Sequence, residues 1–370
     1  MGTLRMGWES KGFNPVRPLF VYYVNPSDER LDTMRALRVA LLGVTAAVPA
    51  FAQGPLEPKE WTVPWERTRP RDPIQDQSGR VWFVGQTGNY IAYLDPRSGE
   101  FKRYEIDAGT NPHNIVLDHQ GGVWFTGNRN GRLVKLDPET GKLTNYMMPD
   151  TTVRDPHTLI FTPDGIGWFS AQQSQRIGRI DTKTGEIRLW RPPGEARTNP
   201  YGVVFDKDNR PYFNLWATNK IASIDPKTLE YTEWAHPDSR MRARRIAITS
   251  DGQLWAGDYR GFLNHLDPKT GKWTEYPMPS GAASQPYAHA QDDKDRIWMV
   301  ETGVQPNRMV AFDTKTKQWV ANFPVLSNGA ERNTVRHMTF NRATREIWFG
   351  TDAGTIGAVK VPAEMIKLTP

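Results

Sequence analysis

From about residue 59 to 361 the chain alternates short apolar runs with clusters of Gly, Asn, Asp and Pro. Residues 112–149 are representative. The runs 114–118, 123–126, 131–137 and 142–147 are separated by Gln-Gly-Gly, Asn-Arg-Asn-Gly and Asp-Pro-Glu-Thr-Gly. Val, Ile, Trp, Phe and Tyr suit a pleated surface and the turn residues interrupt it, so each such unit predicts four antiparallel strands. No long stretch holds apolar residues at i, i+3 and i+4, and helix is expected to be minor. One aromatic anchors every unit: Trp82, Trp124, Trp168, Tyr212, Trp255, Trp298 and Trp348 recur at spacings of 42 to 50 residues. A period of that length built from short strands marks a propeller rather than a helical solenoid. Seven units predict an all-β, seven-bladed propeller of four-stranded antiparallel blades.

The outer strands carry Tyr104, Tyr146, Trp190, Trp234, Tyr276 and Phe323, one fewer than the blades require. The missing strand is found at the other end of the repeat region, where Lys59-Glu60-Trp61-Thr62-Val63-Pro64 reads like Trp273-Thr274-Glu275-Tyr276-Pro277. Trp61 is therefore expected to complete the last blade as its outer strand, closing the ring and covering edge hydrogen-bond groups. The turns Asp95-Pro96, Asp137-Pro138, Asp225-Pro226 and Asp267-Pro268 lack the ligand ladder of a calcium loop and read as plain turns.

A length of 370 residues alone would suggest two or three domains, but the unbroken repeat favours one, spanning 53–370. The 14 Trp supply packing area between blades. Residues 34–52 place Arg35 and Arg38 before an apolar stretch ending Ala50-Phe51-Ala52, the pattern of a cleavable signal peptide. Residues 1–33 read as an unstructured upstream extension, with Met34 as the true initiator. The mature chain would begin near Gln53 and be periplasmic or secreted, monomeric and without a membrane anchor. The absence of Cys excludes disulfides, thiol catalysis and thiolate metal sites. The net charge of +6 is mild and spread along the blades, which argues against nucleic acid as a partner.

Candidate chemistry lies where the innermost strands begin, eleven residues before each anchoring aromatic. The residues there are Arg71, His113, His157, Tyr201, Arg244, Tyr287 and His337. Two residues earlier stand Arg69, Asn111, Asp155, Asn199, Arg242, Gln285 and Val335, and three after the aromatic come Asp258 and Glu301 in the fifth and sixth blades. Equivalent strand ends converge on a propeller axis, so the first two sets are expected to line one funnel. Polar groups converging on a concavity are the default binding site. An excess of arginine (Arg69, Arg71, Arg242, Arg244, Arg245, Arg332, Arg336) favours a small anionic or carbonyl-rich ligand. Arg245 and Arg332 are expected to pair with acids. His289 takes a position that is apolar in four other blades; it reads either as a base or as a buried histidine satisfied by a backbone carbonyl.

The phrases Pro112-His113-Asn114-Ile115, Gly122-Val123-Trp124-Phe125-Thr126 and Ile177-Gly178-Arg179-Ile180-Asp181 resemble the virginiamycin B lyase family of seven-bladed propellers. The resemblance implies eliminative opening of a cyclic depsipeptide, with Mg²⁺ as cofactor. It also implies a Glu-x-His at the head of the sixth inner strand with the His as base, a second Glu three residues after that blade's Trp, and a substrate-binding His one blade earlier. By position the second acid is Glu301, but Glu-x-His becomes Gln285-Pro286-Tyr287 and the preceding blade offers Arg244. Two of three catalytic positions are changed, which counts against antibiotic cleavage.

Three readings follow. One is a metal-assisted lyase, with His157, His289, Tyr287 or His337 as base and Glu301, Gln285 or Asp155 as metal ligands. Another is a hydrolase like the SMP-30/gluconolactonase propellers, with Asp155, Asn199 and Asn111 supplying oxygens to a cation. The third is a non-catalytic periplasmic binding propeller. In each of them Arg71, His113, Tyr201, Arg242 and Arg244 are the candidate substrate-binding residues.

Overall fold

The computed structural model describes residues 56–194, 197–326, 330 and 333–365. Their strands form seven four-stranded antiparallel sheets, each running from an inner to an outer strand. The six sheets that are continuous in sequence take their strands in chain order, as in Pro112–Leu117, Val123–Gly127, Arg132–Leu136 and Leu143–Met147. The seventh combines Val335–Asn341, Glu346–Thr351 and Thr355–Lys360 with Lys59–Thr62 as its outermost strand. Trp61 pairs with Ile356 and stacks on Trp348 at 5.5 Å between ring centroids, so the ring closes as the pattern predicts. The one helical element among the described residues is a 3-10 turn at Gly281–Ala283.

The anchoring aromatics are buried between sheets. Trp82, Val84 and Ile91 of the first blade pack with Ile115, Val123, Phe125 and Val134 of the second, and comparable clusters fill the other junctions. Burying an indole requires a partner for its N–H. In three blades an Asp six residues earlier supplies one, with Trp82 donating to Asp76 at 2.8 Å, Trp124 to Asp118 at 2.8 Å and Trp298 to Asp292 at 2.9 Å. The Asp-Pro turns behave as plain turns: Asp137 Oδ1 accepts the N–H groups of Glu139 and Thr140, and Asp225 Oδ1 those of Lys227 and Thr228.

The signal segment 34–52 and residues 1–33 lie outside the described residues, as does Arg332. Within the described residues no helix is long and apolar enough to cross a membrane.

Candidate functional site

Four of the seven inner strands enter from a sharp backbone bend. Arg69, Asn111, Asn199 and Gln285 all take left-handed backbone angles, with φ of 43°, 49°, 49° and 41°. These four residues therefore turn the chain into the inner strand. Arg242, expected beside the ligand, instead donates to the carbonyls of Ser239 and Met241, both at 2.7 Å.

One blade departs from the expected register. Val116 pairs with Trp124 and Ala290 with Trp298, eight residues apart, whereas Thr339 pairs with Trp348 across nine. The additional residue in the 341–346 hairpin moves the seventh blade by one position. Arg336, not His337, is thus the equivalent of His113, and His337 falls one level further along the axis with Asp72, Asn114, Thr158 and Arg245.

The corrected ring, Arg71, His113, His157, Tyr201, Arg244, Tyr287 and Arg336, closes on itself instead of lining an open funnel. Arg71 Nη1 donates to His113 Nε2 at 2.8 Å. The His113 and His157 rings lie 3.6 Å apart, and His157 and Tyr201 4.1 Å apart. The Tyr201 and Tyr287 hydroxyls share a hydrogen bond. Arg244 lies 4.9 Å from the Tyr287 ring centroid and Arg336 5.7 Å from it. The side chains fill the axis because bulky groups occur in every blade.

Residues one step beyond the third sequence set complete this layer. Gln86 Oε1 accepts from Arg71 at 3.2 Å, Asp352 accepts from Arg336 at 2.6 and 3.0 Å, and Trp216 and Tyr259 lie 4.3 and 5.4 Å from the Arg244 guanidinium. They stand four residues after the anchoring aromatic, and that spacing was the signal available in the sequence.

Charge at the axis is unbalanced. Below the ring, Asp72 is fully buried and lies 3.7 Å from Arg71 and 3.6 Å from Arg245, so the expected acid partner of Arg245 is present. Arg244 forms no ion pair among the described residues. Burial alone would raise the Tyr287 pKa, but the charges of Arg71, Arg245 and Arg244 and the bond from Tyr201 outweigh it and lower it from the usual tyrosine value. Burial, and then the charge of neighbouring arginines, holds His113 and His157 well below the usual histidine range, so both are neutral at pH 7.

The proposed bases and metal ligands fare differently. His289 donates from Nδ1 to the Tyr287 carbonyl at 2.9 Å and accepts the Gly257 N–H at Nε2 at 2.8 Å. Neither nitrogen is left to take a proton, which removes it as a base. His113 is engaged similarly, by Arg71 and by the His157 carbonyl. Glu301 is fully buried and accepts the Ser280 N–H at 2.9 Å and its hydroxyl at 2.5 Å. Asp155 accepts the N–H groups of Gln173 and Ser174 and the Ser174 hydroxyl. Asn199 Oδ1 accepts from Arg197 at 2.9 Å. Among the described residues no three His, Asp or Glu side chains gather to hold a metal ion. The residues present do not fit the Mg²⁺ that the resemblance implied, nor the cation of a lactonase-like site, because the acids are already satisfied by local donors.

The sequence model of the virginiamycin B lyase family matches residues 117–368. No curated protein matches the sequence. Among solved structures, the virginiamycin B lyase of Staphylococcus aureus superposes with a TM-score of 0.74 at 22% identity, covering 83% of this chain and 100% of that one. A catalytically inactive form of that enzyme with quinupristin gives 0.73 at 23% identity, with the same 83% and 100% coverage. The extracellular domain of a one-component system from Bacteroides thetaiotaomicron gives 0.60 at 17% identity, covering 79% of this chain and 40% of that one. At these identities the superpositions show the fold.

Proposed function

Because the chain belongs to the virginiamycin B lyase family, we propose that it is an exported propeller binding a small carboxylate- or carbonyl-bearing molecule at the mouth formed by Arg244, Arg336, Trp216 and Tyr259. The observation that carries this is Arg244. Its guanidinium is surrounded by the rings of Trp216, Tyr287, Tyr259 and Tyr201 at 4.3, 4.9, 5.4 and 5.7 Å, without an acid partner and with Nε unbonded. Aromatic faces stabilise the cation and orient its planar fork, leaving the charge available to an oxyanion. Calorimetric titration with a panel of mono- and dicarboxylates and cyclic esters tests the reading. Arg244→Ala should weaken the bound members at least tenfold, the scale of one lost charge-assisted bond, and unchanged affinity would overturn it. Export through 34–52 predicts a mature N-terminus at Gln53 in the periplasmic or secreted fraction.

One feature favours lyase chemistry at this mouth. Tyr287 stands where the family resemblance puts the base, and its arginine surroundings favour the phenolate. Tyr287 Oη would take the proton next to a carbonyl whose oxygen rests on Arg244. The C–H electrons form the C=C bond, and the bond to the leaving ester oxygen breaks. Tyr287→Phe should then abolish opening of a bound cyclic ester while leaving its affinity within a few-fold. Turnover that survives this substitution would rule Tyr287 out.

A further inference from the structure

The opposite end of the axis carries a second concavity that the mouth does not use. Where the inner strands exit, a cavity of about 400 Å³ runs inward from an apolar collar that includes Ile160, Val204, Ile248 and Phe340. Its inner part is polar and includes Asn114, Thr158, Arg245, His289 and His337 as the floor. That volume is at the lower end of small-molecule sites, and an apolar wall with a few convergent polar groups is their usual composition.

The floor is incompletely satisfied. Arg245 is 3% exposed, and its Nη1 donates to the Thr158 hydroxyl at 3.1 Å. Its Nε and Nη2, the pair that grips a carboxylate side-on, have no hydrogen-bond partner, and neither does His337 Nδ1. Asp72 is the acid at this level, and its 3.6 Å approach to Arg245 Nη2 is too long for a hydrogen bond. Asp72 also faces Arg71 at 3.7 Å, so two buried guanidiniums share one carboxylate. A buried charge without full compensation is costly, and an incoming anion would supply the missing one.

We infer that this cavity binds a monocarboxylate with an apolar body, its head group on Arg245 and His337 and its chain within the Ile160, Val204 and Ile248 collar. The contacts lie at the other end of the axis from the mouth; Arg245 is the residue common to both, since its charge also favours the Tyr287 anion.

The test is calorimetric titration and thermal unfolding of the purified protein with octanoate, 1-octanol and acetate. Octanoate has both the head and the body, octanol lacks the charge, and acetate lacks the body. Octanoate should bind one per chain at least tenfold more tightly than either control. It should raise Tm by about 5 °C at a hundredfold excess over Kd. Arg245→Met, which keeps the bulk and removes the charge, should abolish the preference over octanol. Should that variant fail to fold, Val204→Trp decides, since it fills the collar and leaves the floor intact; it should eliminate octanoate binding. Absence of octanoate binding, equal binding of octanol, or undiminished binding in Val204→Trp would each overturn the proposal.

Discussion

Tyr287 and His289 lie two residues apart on one strand, and their partners give them opposite capacities. Tyr287 is turned toward arginines that favour its anion, whereas His289 is locked neutral between a carbonyl and an amide. His289→Leu should therefore cost about 1–3 kcal/mol, the penalty of leaving the buried Gly257 N–H unpaired, without altering ligand affinity at the mouth. Burial also brings both His289 and His337 down to about 4. In the unfolded chain each titrates near 6.5, so below that pH the unfolded state binds protons that the folded state refuses. Stability is fully present above pH 6.5 and falls as pH drops toward 4, by up to about 1.4 kcal/mol per group per pH unit. Urea midpoints at pH 7.5, 6 and 5 should decline in that order, and a flat profile would contradict the neutral assignment. The sequence left His289 ambiguous because a histidine on an inner strand reads the same whether its nitrogens are free or occupied. Only the Gly257 amide, 32 residues away, decides between them.

At the level of the strand, the aromatic anchor made nearly the whole architecture legible. Its period reported the blades, its surplus over the outer aromatics reported the closing strand, and Asp-Pro turns reported the hairpins. What it concealed was register. The extra residue in the 341–346 hairpin leaves the aromatic period readable but moves every inner-strand side chain of that blade by one position, so His337 and Arg336 exchange levels. The closing strand offers a direct test. Trp61 is half-buried against Trp348, and its backbone covers the edge of Thr355–Lys360. Trp61→Ala should cost about 2–4 kcal/mol through lost aromatic packing. Deleting 59–62 should add concentration-dependent association, seen by light scattering, because the exposed edge becomes a template for pairing. A deletion variant that stays monomeric with unchanged Tm would show that closure contributes little.

Across the molecule, chemistry-bearing residues separate into an axial cationic cluster and peripheral acids. Arg71, Arg244 and Arg245 meet near the axis against Asp72, while Asp258, Glu301 and Asp155 are held by Arg260, Ser280 and Ser174. Counting positions per blade placed Arg71, Arg244 and Asp155 at one mouth and offered Glu301 as a metal ligand, since sequence spacing gives height along a strand but not the direction in which a carboxylate finds its donor. Ser280, 21 residues before Glu301, could not be read as its partner. This segregation has a consequence for metals. A hard cation needs several oxygens converging on one point, and here each acid would first have to lose its own donors. Exhaustive EDTA treatment should thus leave Tm and ligand affinity unchanged, and added Mg²⁺ should do the same. Metal analysis of the purified protein should find no stoichiometric divalent ion. A Tm increase with Mg²⁺ that disappears in Glu301→Ala would mean that Ser280 gives way to the ion and that the family's metal site persists. An unaffected Tm would leave the axial arginines as the groups that receive negative charge, the role their excess over Asp72 suits them to.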